Sequence, residues 1–266
     1  MDALTALPLL VKAAILGIVE GLTEFLPISS TGHLLIAEHW LGRRSDLFNI
    51  VIQAGAILAV TLVYRHRLVE LATGWRDPVA RDYSLKLAAS FAVTAVLGLV
   101  VKKLGYKLPE TVTPVALALI LGGVGILLIE LWAKRQEVAV DVTWKLAIAV
   151  GVAQVLAGVF PGTSRSAAAI FAAMLLGLTD RPKAAEFAFL IGIPTMFAAS
   201  AVETLSLARA GVLADEPWGE LLAATLMSAL TGFVSVKWLL RYVATHNFNV
   251  FAGYRIALGV VLLAFL

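Results

Sequence analysis

Long uncharged apolar runs alternate with short charged segments along this chain. Five runs without a charged residue extend over 47–64, 87–101, 111–129, 187–202 and 221–236. A helix needs about 20 consecutive apolar residues to cross the hydrocarbon core of a bilayer. The pattern therefore predicts an all-α polytopic membrane protein.

Two further apolar segments are interrupted near their middles by proline and hydroxyl residues. The first contains Pro27-Ile-Ser-Ser-Thr-Gly32 and the second contains Pro161-Gly-Thr-Ser-Arg165. Non-helical backbone at membrane depth is tolerated only where protein or a watery cavity surrounds it. We therefore expect re-entrant helical hairpins at about 8–41 and about 144–178, each entering and leaving on one side.

These elements predict one integrated membrane domain made of two repeats, 1–133 and 134–266. In the first repeat the hairpin is followed by spans at about 47–64, 84–101 and 112–132. In the second repeat the spans are expected at about 185–206, 218–240 and 248–266. Three crossings per half would insert the halves in opposite orientations, which is an inverted repeat. If the motif segments cross fully, the halves are parallel instead.

The repeat itself rests on an alignment of the two halves at an offset of 134 residues. This offset places Glu20 on Gln154, Pro27 on Pro161, Ser29 on Thr163 and Ser30 on Ser164. A second match pairs 48–54 with 187–193 at a slightly larger offset. The alternative is that two apolar helices with a proline look alike by chance.

Composition excludes some kinds of chemistry, and the charges of the loops predict an orientation in the membrane. The chain is 60% hydrophobic and 15% charged, and it has no cysteine, which excludes disulfides and thiolate chemistry. No removable signal peptide is expected. The loops with Arg76, Arg135 and Lys183 carry more basic residues than those with Lys107 and Arg209. Because basic loops stay in the cytoplasm, both termini are predicted outside.

Ionisable side chains within apolar segments are the first candidates for chemistry. Glu20 and Glu24 are four residues apart, so they lie on one face of a helix. A divalent cation, Mg²⁺ or Ca²⁺, between them would relieve their repulsion, and Mg²⁺ commonly joins carboxylates to substrate phosphates. The alternative is that one glutamate is protonated and the other caps a broken helix.

Hydroxyl residues follow the first proline and lead to a histidine. Ser29, Ser30 and Thr31 precede Gly32 and His33. One interpretation is a hydroxyl nucleophile, Ser30, with the His33 imidazole as its base. The other is a helix N-cap, since serine is a preferred capping residue. The two interpretations are compatible.

The second motif has the features of an anion site. Thr163, Ser164 and Ser166 surround Arg165 at the expected start of a helix. Backbone N–H groups at a helix start bind anions, and a guanidinium matches phosphate bidentately. The motif lacks the Gly-Lys-Ser/Thr of a Walker loop. The alternative is an arginine that extends to the membrane interface.

The stretch from Glu20 to His33, together with Pro161-Gly-Thr-Ser-Arg-Ser166, resembles the two signature motifs of the bacterial undecaprenyl-pyrophosphate phosphatase family, also called bacitracin-resistance proteins. The resemblance implies hydrolysis of the terminal phosphate of a C55 isoprenoid pyrophosphate, which recycles the lipid carrier for cell-wall synthesis in the bacterial plasma membrane.

By position, the resemblance implies that Glu20 and Glu24 form the acidic motif, that Ser30 and His33 are nucleophile and base, and that Arg165 binds phosphate. Ala167 departs from the glycine usual in the family. The expected partners are the pyrophosphate lipid, the bilayer and, as a candidate, a second copy in a homodimer, with no nucleic acid. A secondary transporter or lipid flippase would suit the same repeated scaffold and is the competing class.

Overall fold

The structure, a computed structural model, describes residues 7–105, 111–211, 213 and 216–265. Within these residues all regular secondary structure is helical. This confirms the predicted all-helical membrane fold class. Lys107, which the loop charges place outside, lies beyond the described residues, as does Leu266 at the end of the last predicted span.

Four of the described helices form two broken hairpins, and the others are single elements. The hairpin helices are α1 (Leu9–Thr23) with α2 (Ser30–Leu41), and α7 (Trp144–Val159) with α8 (Arg165–Leu175). The others are α3 (Asp46–Val63), α4 (Arg65–Thr73), α5 (Pro78–Lys103), α6 (Val112–Ala133), α9 (Arg181–Arg209), α10 (Trp218–Val243) and α11 (Asn249–Phe265).

Five of these helices, α3, α5, α6, α9 and α10, are long and apolar enough to cross a membrane. The sixth predicted span corresponds to α11, which is apolar but has only 17 described residues. The short polar helix α4 was not predicted, because a search for long apolar runs does not detect a charged segment.

Capping side chains account for where several helices begin. Ser45 accepts a hydrogen bond from Phe48 N, and Thr143 accepts one from Leu146 N. Asp77 accepts from two backbone N–H groups at the start of α5, where proline is the first residue. Such caps satisfy N–H groups that have no partner within the helix.

The chain breaks between the two helices of each hairpin at a serine with a left-handed backbone. Ser29 has φ 74° and caps α2, whereas Ser164 has φ 69° and caps α8. Ser29 is therefore the counterpart of Ser164, and the predicted pairing of Ser29 with Thr163 was wrong by one residue. The second turn contains one additional residue after its proline, which the constant offset did not include.

Contacts between the halves are reciprocal. Helix α1 packs on α10 of the other half, and α7 packs on α5. The Arg67 side chain, just after α3, lies 3.3 Å from the Glu186 carboxylate near the start of α9. The matching helices α3 and α9 therefore run antiparallel. This direction favours the inverted repeat, which stays a prediction.

The packing of α1 on α10 depends on two glycines one helical turn apart. A methyl group on Gly17 would lie 2.0 Å from the Ala224 carbonyl oxygen, and one on Gly21 would lie 2.2 Å from Thr231 Oγ1. Small residues allow helix backbones to approach this closely. The contact fixes the helix that carries Glu20 and Glu24.

The loop charges predict which ends of the helices face the cytoplasm, and the absence of native cysteine makes labelling clean. We expect Arg135→Cys and Lys183→Cys to react with an impermeant thiol reagent only from inside, and Arg43→Cys and Arg209→Cys only from outside. Intact cells and inside-out vesicles distinguish the two sides. Labelling of Arg135→Cys and Arg209→Cys from the same side would contradict the inverted arrangement.

Candidate active site

Arg255, on α11, joins the two hairpin turns. Its side chain is fully buried, with 0% of its surface exposed, and its guanidinium donates five hydrogen bonds, all to backbone carbonyls. The acceptors are Leu119 O (3.3 Å), Pro27 O (3.2 Å), Thr163 O (3.0 Å), Ala118 O (3.0 Å) and Gly162 O (3.1 Å). A guanidinium has five N–H donors, so all are satisfied. The sequence shows this charge within the last apolar stretch but gives no sign of its partners.

The two capping serines hold strained positions within one or two residues of the turn carbonyls that Arg255 binds. Ser29 Oγ accepts from Gly32 N at 3.4 Å, and Ser164 Oγ accepts from Ala167 N at 3.3 Å. The N-cap interpretation of the first motif is thereby confirmed for Ser29. A left-handed backbone at a residue other than glycine costs about 1–3 kcal/mol and persists only where its surroundings determine it. Here the three Arg255 hydrogen bonds to turn carbonyls do so.

Glu24 lies between the first residues of the two hairpin helices α2 and α8. The Ser30 hydroxyl donates a short hydrogen bond to Glu24 Oε2. The Arg165 guanidinium lies 3.7 Å from Glu24 Oε1. One carboxylate thus contacts a hydroxyl from the first motif and a cation from the second.

Glu20 lies one turn before Glu24 and is 1% exposed. Both of its carboxylate oxygens are buried without a hydrogen-bond partner. An unsatisfied buried carboxylate is costly, so this one is prepared for a cation or a donor that the protein does not supply.

A cavity of about 490 Å³ leads from Glu20 and Ser30 to the protein surface. Its mouth includes Arg43 and Asp46, between α2 and α3. Asn49 and Gln53 of α3 line it as well, and sequence reasoning missed both. The sequence did contain a signal for them, because they are two polar amides four residues apart within the otherwise apolar run 47–64.

The structure does not bring His33 to Ser30. His33 Nδ1 lies 2.7 Å from Ser29 O, and since a carbonyl only accepts, Nδ1 is the donor. His33 Nε2 lies 2.7 Å from the Tyr254 hydroxyl. The predicted pairing of Ser30 with His33 is therefore replaced by that of Ser30 with Glu24, because both ring nitrogens are engaged elsewhere.

The hydroxyls of the second motif also differ from the expected anion donors. Ser166 donates to Leu26 O at 3.1 Å, and the Ser164 and Ser166 hydroxyls are 3.0 Å apart. Thr163 contributes its carbonyl to Arg255. These hydroxyl residues therefore hold the two turns together. Of the residues in the predicted anion site, only Arg165 has a side chain that reaches Glu24. Ala167 contributes its N–H to the Ser164 cap.

These features define a helical membrane protein in which two broken hairpins bring together a hydroxyl, two carboxylates and a guanidinium, and Ser30 and Glu20 of this group line the larger cavity. The family model described as bacitracin resistance protein BacA matches residues 13–261, so the chain belongs to that family.

Relatives with high identity cover nearly the whole chain. A protein of Rhizobium johnstonii named undecaprenyl-diphosphatase is 61% identical over 253 residues, which are 95% of this chain and 96% of the relative. Proteins with the same name from Xanthomonas campestris pv. campestris and Xylella fastidiosa are 60% identical over 257 residues, 97% of this chain and 98% of each relative.

The capping serines reverse the usual ranking of alanine and glycine in helical proteins. Ser164→Ala keeps the left-handed strain and loses the cap, which costs about 1 kcal/mol. Ser164→Gly loses the cap but relieves the strain, so its stability should stay within about a few tenths of a kcal/mol of the parent. Thermal unfolding in detergent measures both, with Ser206→Ala and Ser206→Gly in the body of α9 as controls. An alanine variant at 164 more stable than the glycine variant would contradict the assignment.

Proposed function

We propose that this protein hydrolyses undecaprenyl pyrophosphate to undecaprenyl phosphate and inorganic phosphate. The proposal rests on the Glu24 carboxylate between the Ser30 hydroxyl and the Arg165 guanidinium. The printed name of the relatives, undecaprenyl-diphosphatase, supports it. Phosphoryl transfer depends chiefly on positioning and charge stabilisation, which these three groups supply.

In the first step Ser30 Oγ attacks the terminal phosphorus while its proton passes to Glu24 Oε2, the acceptor of its hydrogen bond. The bond from phosphorus to the bridging oxygen breaks, and the lipid monophosphate leaves with that electron pair. Water then attacks the phosphorus of the phosphorylated serine, and the bond from phosphorus to Ser30 Oγ breaks. The water oxygen and both of its protons leave in the inorganic phosphate, and Ser30 Oγ regains its proton from Glu24.

Arg165 and the helix starts stabilise the negative charge of the transferred group. Ser30 and Arg165 are the first residues of α2 and α8, so both helices begin at the site. The N-terminus of a helix carries a partial positive charge, and a guanidinium matches phosphate oxygens in pairs. Arg165 acts on the substrate, whereas Arg255 positions the turns.

The shape and lining of the cavity suit an amphiphile. Glu20, Ser30 and Gln53 line its inner part, and Leu34, Leu35, Ile36, Val112 and Leu262 also contribute to its wall. A pyrophosphate would reach the polar groups while an isoprenoid chain contacts the leucines and valine. The lipid substrate of the proposal has this chemistry.

A divalent cation fits the two acidic side chains. Both Glu20 oxygens lack a partner, and Glu24 follows one turn later. In the part of the chain that the structure describes, no three acidic, histidine or cysteine side chains form a metal-binding group. Mg²⁺ is commonly held by one or two carboxylates plus substrate phosphates and water. Bound there, it would offset the charge on the pyrophosphate.

The helical membrane fold and the proposed substrate support a proposal for the compartment. We place the protein in the bacterial plasma membrane, recycling the lipid carrier of cell-wall synthesis, with both termini and the cavity mouth at Arg43 outside. The excess of basic residues in the opposite loops supports this orientation. A homodimer stays a prediction.

The decisive measurement is phosphate release from a detergent-solubilised long-chain isoprenoid pyrophosphate, because a transporter or flippase releases none. In this assay Arg165→Lys keeps the charge but loses the planar fork. We expect a loss of about 100- to 1000-fold in rate, by analogy with removal of one oxyanion donor. Arg67→Lys, at an ion pair remote from Glu24, is the matched control.

A merely structural role of Arg165 makes a different prediction. If its contact with Glu24 serves only folding, the substitution lowers the unfolding temperature, and exchange of the two charges restores it. Hydrolysis near the parent rate by well-folded Arg165→Lys or Arg165→Ala would remove the residue from the site.

Cation dependence is tested by chelation in the same assay. A chelator should abolish phosphate release and added Mg²⁺ or Ca²⁺ should restore it, because neither Glu20 carboxylate oxygen has a hydrogen-bond partner in the protein. Neither Glu20→Gln nor Glu24→Gln should be rescued at moderate cation concentration. Glu203→Gln, an exposed carboxylate paired with Lys102, should respond as the parent does. Full activity in excess chelator would remove the cation from the proposal.

A further inference from the structure

A second, much smaller cavity lies on the other side of Glu24. It measures about 20 Å³, against about 490 Å³ for the first. Glu24, Arg165 and Ser166 line it, whereas Glu20 and Ser30 line the first cavity, so the two cavities meet the proposed reacting groups from different directions.

The two cavities are lined by matching positions of the two halves. On the hairpins, Glu20, Ser30 and Leu34 line the first cavity, and Gln154, Arg165 and Ala169 line the second. Ser30 and Arg165 are the first residues of α2 and α8, and Leu34 and Ala169 are the fifth. On the long helices, Asn49 and Gln53 of α3 correspond to Ala188 and Gly192 of α9 by the alignment of 48–54 with 187–193.

The second cavity is small because aromatic side chains fill it. Phe25 and Phe189 both line it and pack edge to face, with ring centroids 5.5 Å apart and an interplanar angle of 82°. Phe189 also contacts Tyr64, at 6.4 Å between centroids. At the offset of 134, Phe25 corresponds to Val159, which is smaller. The two halves thus differ at the position where one cavity is closed.

The cavities approach the site from opposite ends of α3. The first reaches Asp46, the first residue of this helix, and the second is closed by Phe189, which contacts Tyr64 directly after its last residue. An 18-residue helix is about 27 Å long, nearly the thickness of the hydrocarbon core. The two cavities therefore lead toward opposite faces of the membrane.

We propose that Phe25 and Phe189 form a seal that closes a second route to Glu24 and Arg165, so that a phosphate group enters and leaves from one membrane face only. The seal would determine from which membrane face the hydrolysis takes place, and this inference rests on the proposed function. Without the seal, charged groups within the protein would be open to both faces.

The test uses two cysteines at matched positions of this cysteine-free chain. Leu34→Cys lies in the open cavity and should react with a membrane-impermeant thiol reagent from one face. Ala169→Cys lies in the closed cavity and should react from neither face. With Phe25→Ala added, Ala169→Cys should gain labelling from the face opposite to that of Leu34→Cys. Right-side-out and inside-out vesicles of the full chain separate the faces.

Phe189→Ala is the second opening variant, in case Phe25→Ala does not fold, and should give the same gain. Phe187→Ala is its matched control, since Phe187 lies on the same helix but packs against Tyr83. The proposal is wrong if Ala169→Cys reacts without an opening variant, or reacts from the same face as Leu34→Cys. It is also wrong if a folded opening variant leaves Ala169→Cys unlabelled, or if Phe187→Ala has an equal effect. Labelling needs no turnover, so a failure of the proposed hydrolysis leaves this result readable.

Discussion

The structure depends on a cation buried without a carboxylate. Arg255 has five backbone carbonyls as its partners, taken from both hairpin turns and from α6. A charged side chain at membrane depth is costly, and carbonyl dipoles are one of the few partners that compensate for it. The carbonyls of the two turns have no partner within a helix, because the helical backbone is interrupted at both turns. The arginine and the broken turns thus satisfy one another.

This arrangement explains how a repeated scaffold contains one site rather than two. Both turns present a capped helix start, yet the first carries the Ser30 hydroxyl where the second carries the Arg165 guanidinium. Glu20 has an amide, Gln154, as its counterpart, and the amide hydrogen-bonds to Thr94 of α5 at 3.3 Å. The acidic groups therefore come from one half and the cation from the other. Only where the two tips meet, at Glu24, do a hydroxyl, a carboxylate and a guanidinium come together.

Sequence reasoning predicts most of the helices and brings the right motifs together, because both depend on patterns of hydropathy and on charges within apolar runs. Sequence reasoning does not predict which of several possible partners a side chain contacts, because that depends on residues distant in the sequence. Ser30 had His33 three residues away as its natural base, but the imidazole is held between Ser29 O and Tyr254, which is 221 residues distant. The one-residue shift between the turns likewise becomes visible only when Ser29 and Ser164 are seen to share a left-handed backbone.

Glu20 shows how stability and chemistry are coupled here. Its unpaired carboxylate oxygens would cost about 1–3 kcal/mol or more in a closed interior. Glu20 instead lines the open cavity, which is the space that would hold water, a cation or a substrate phosphate. On the other side of Glu24 a cavity of only about 20 Å³ lies against Phe25, and the proposed seal would leave the carboxylates one direction of access. The strained turns at Ser29 and Ser164 lie next to Ser30 and Arg165, so the two left-handed serines and the unpaired carboxylate of Glu20 are found around the proposed reacting groups.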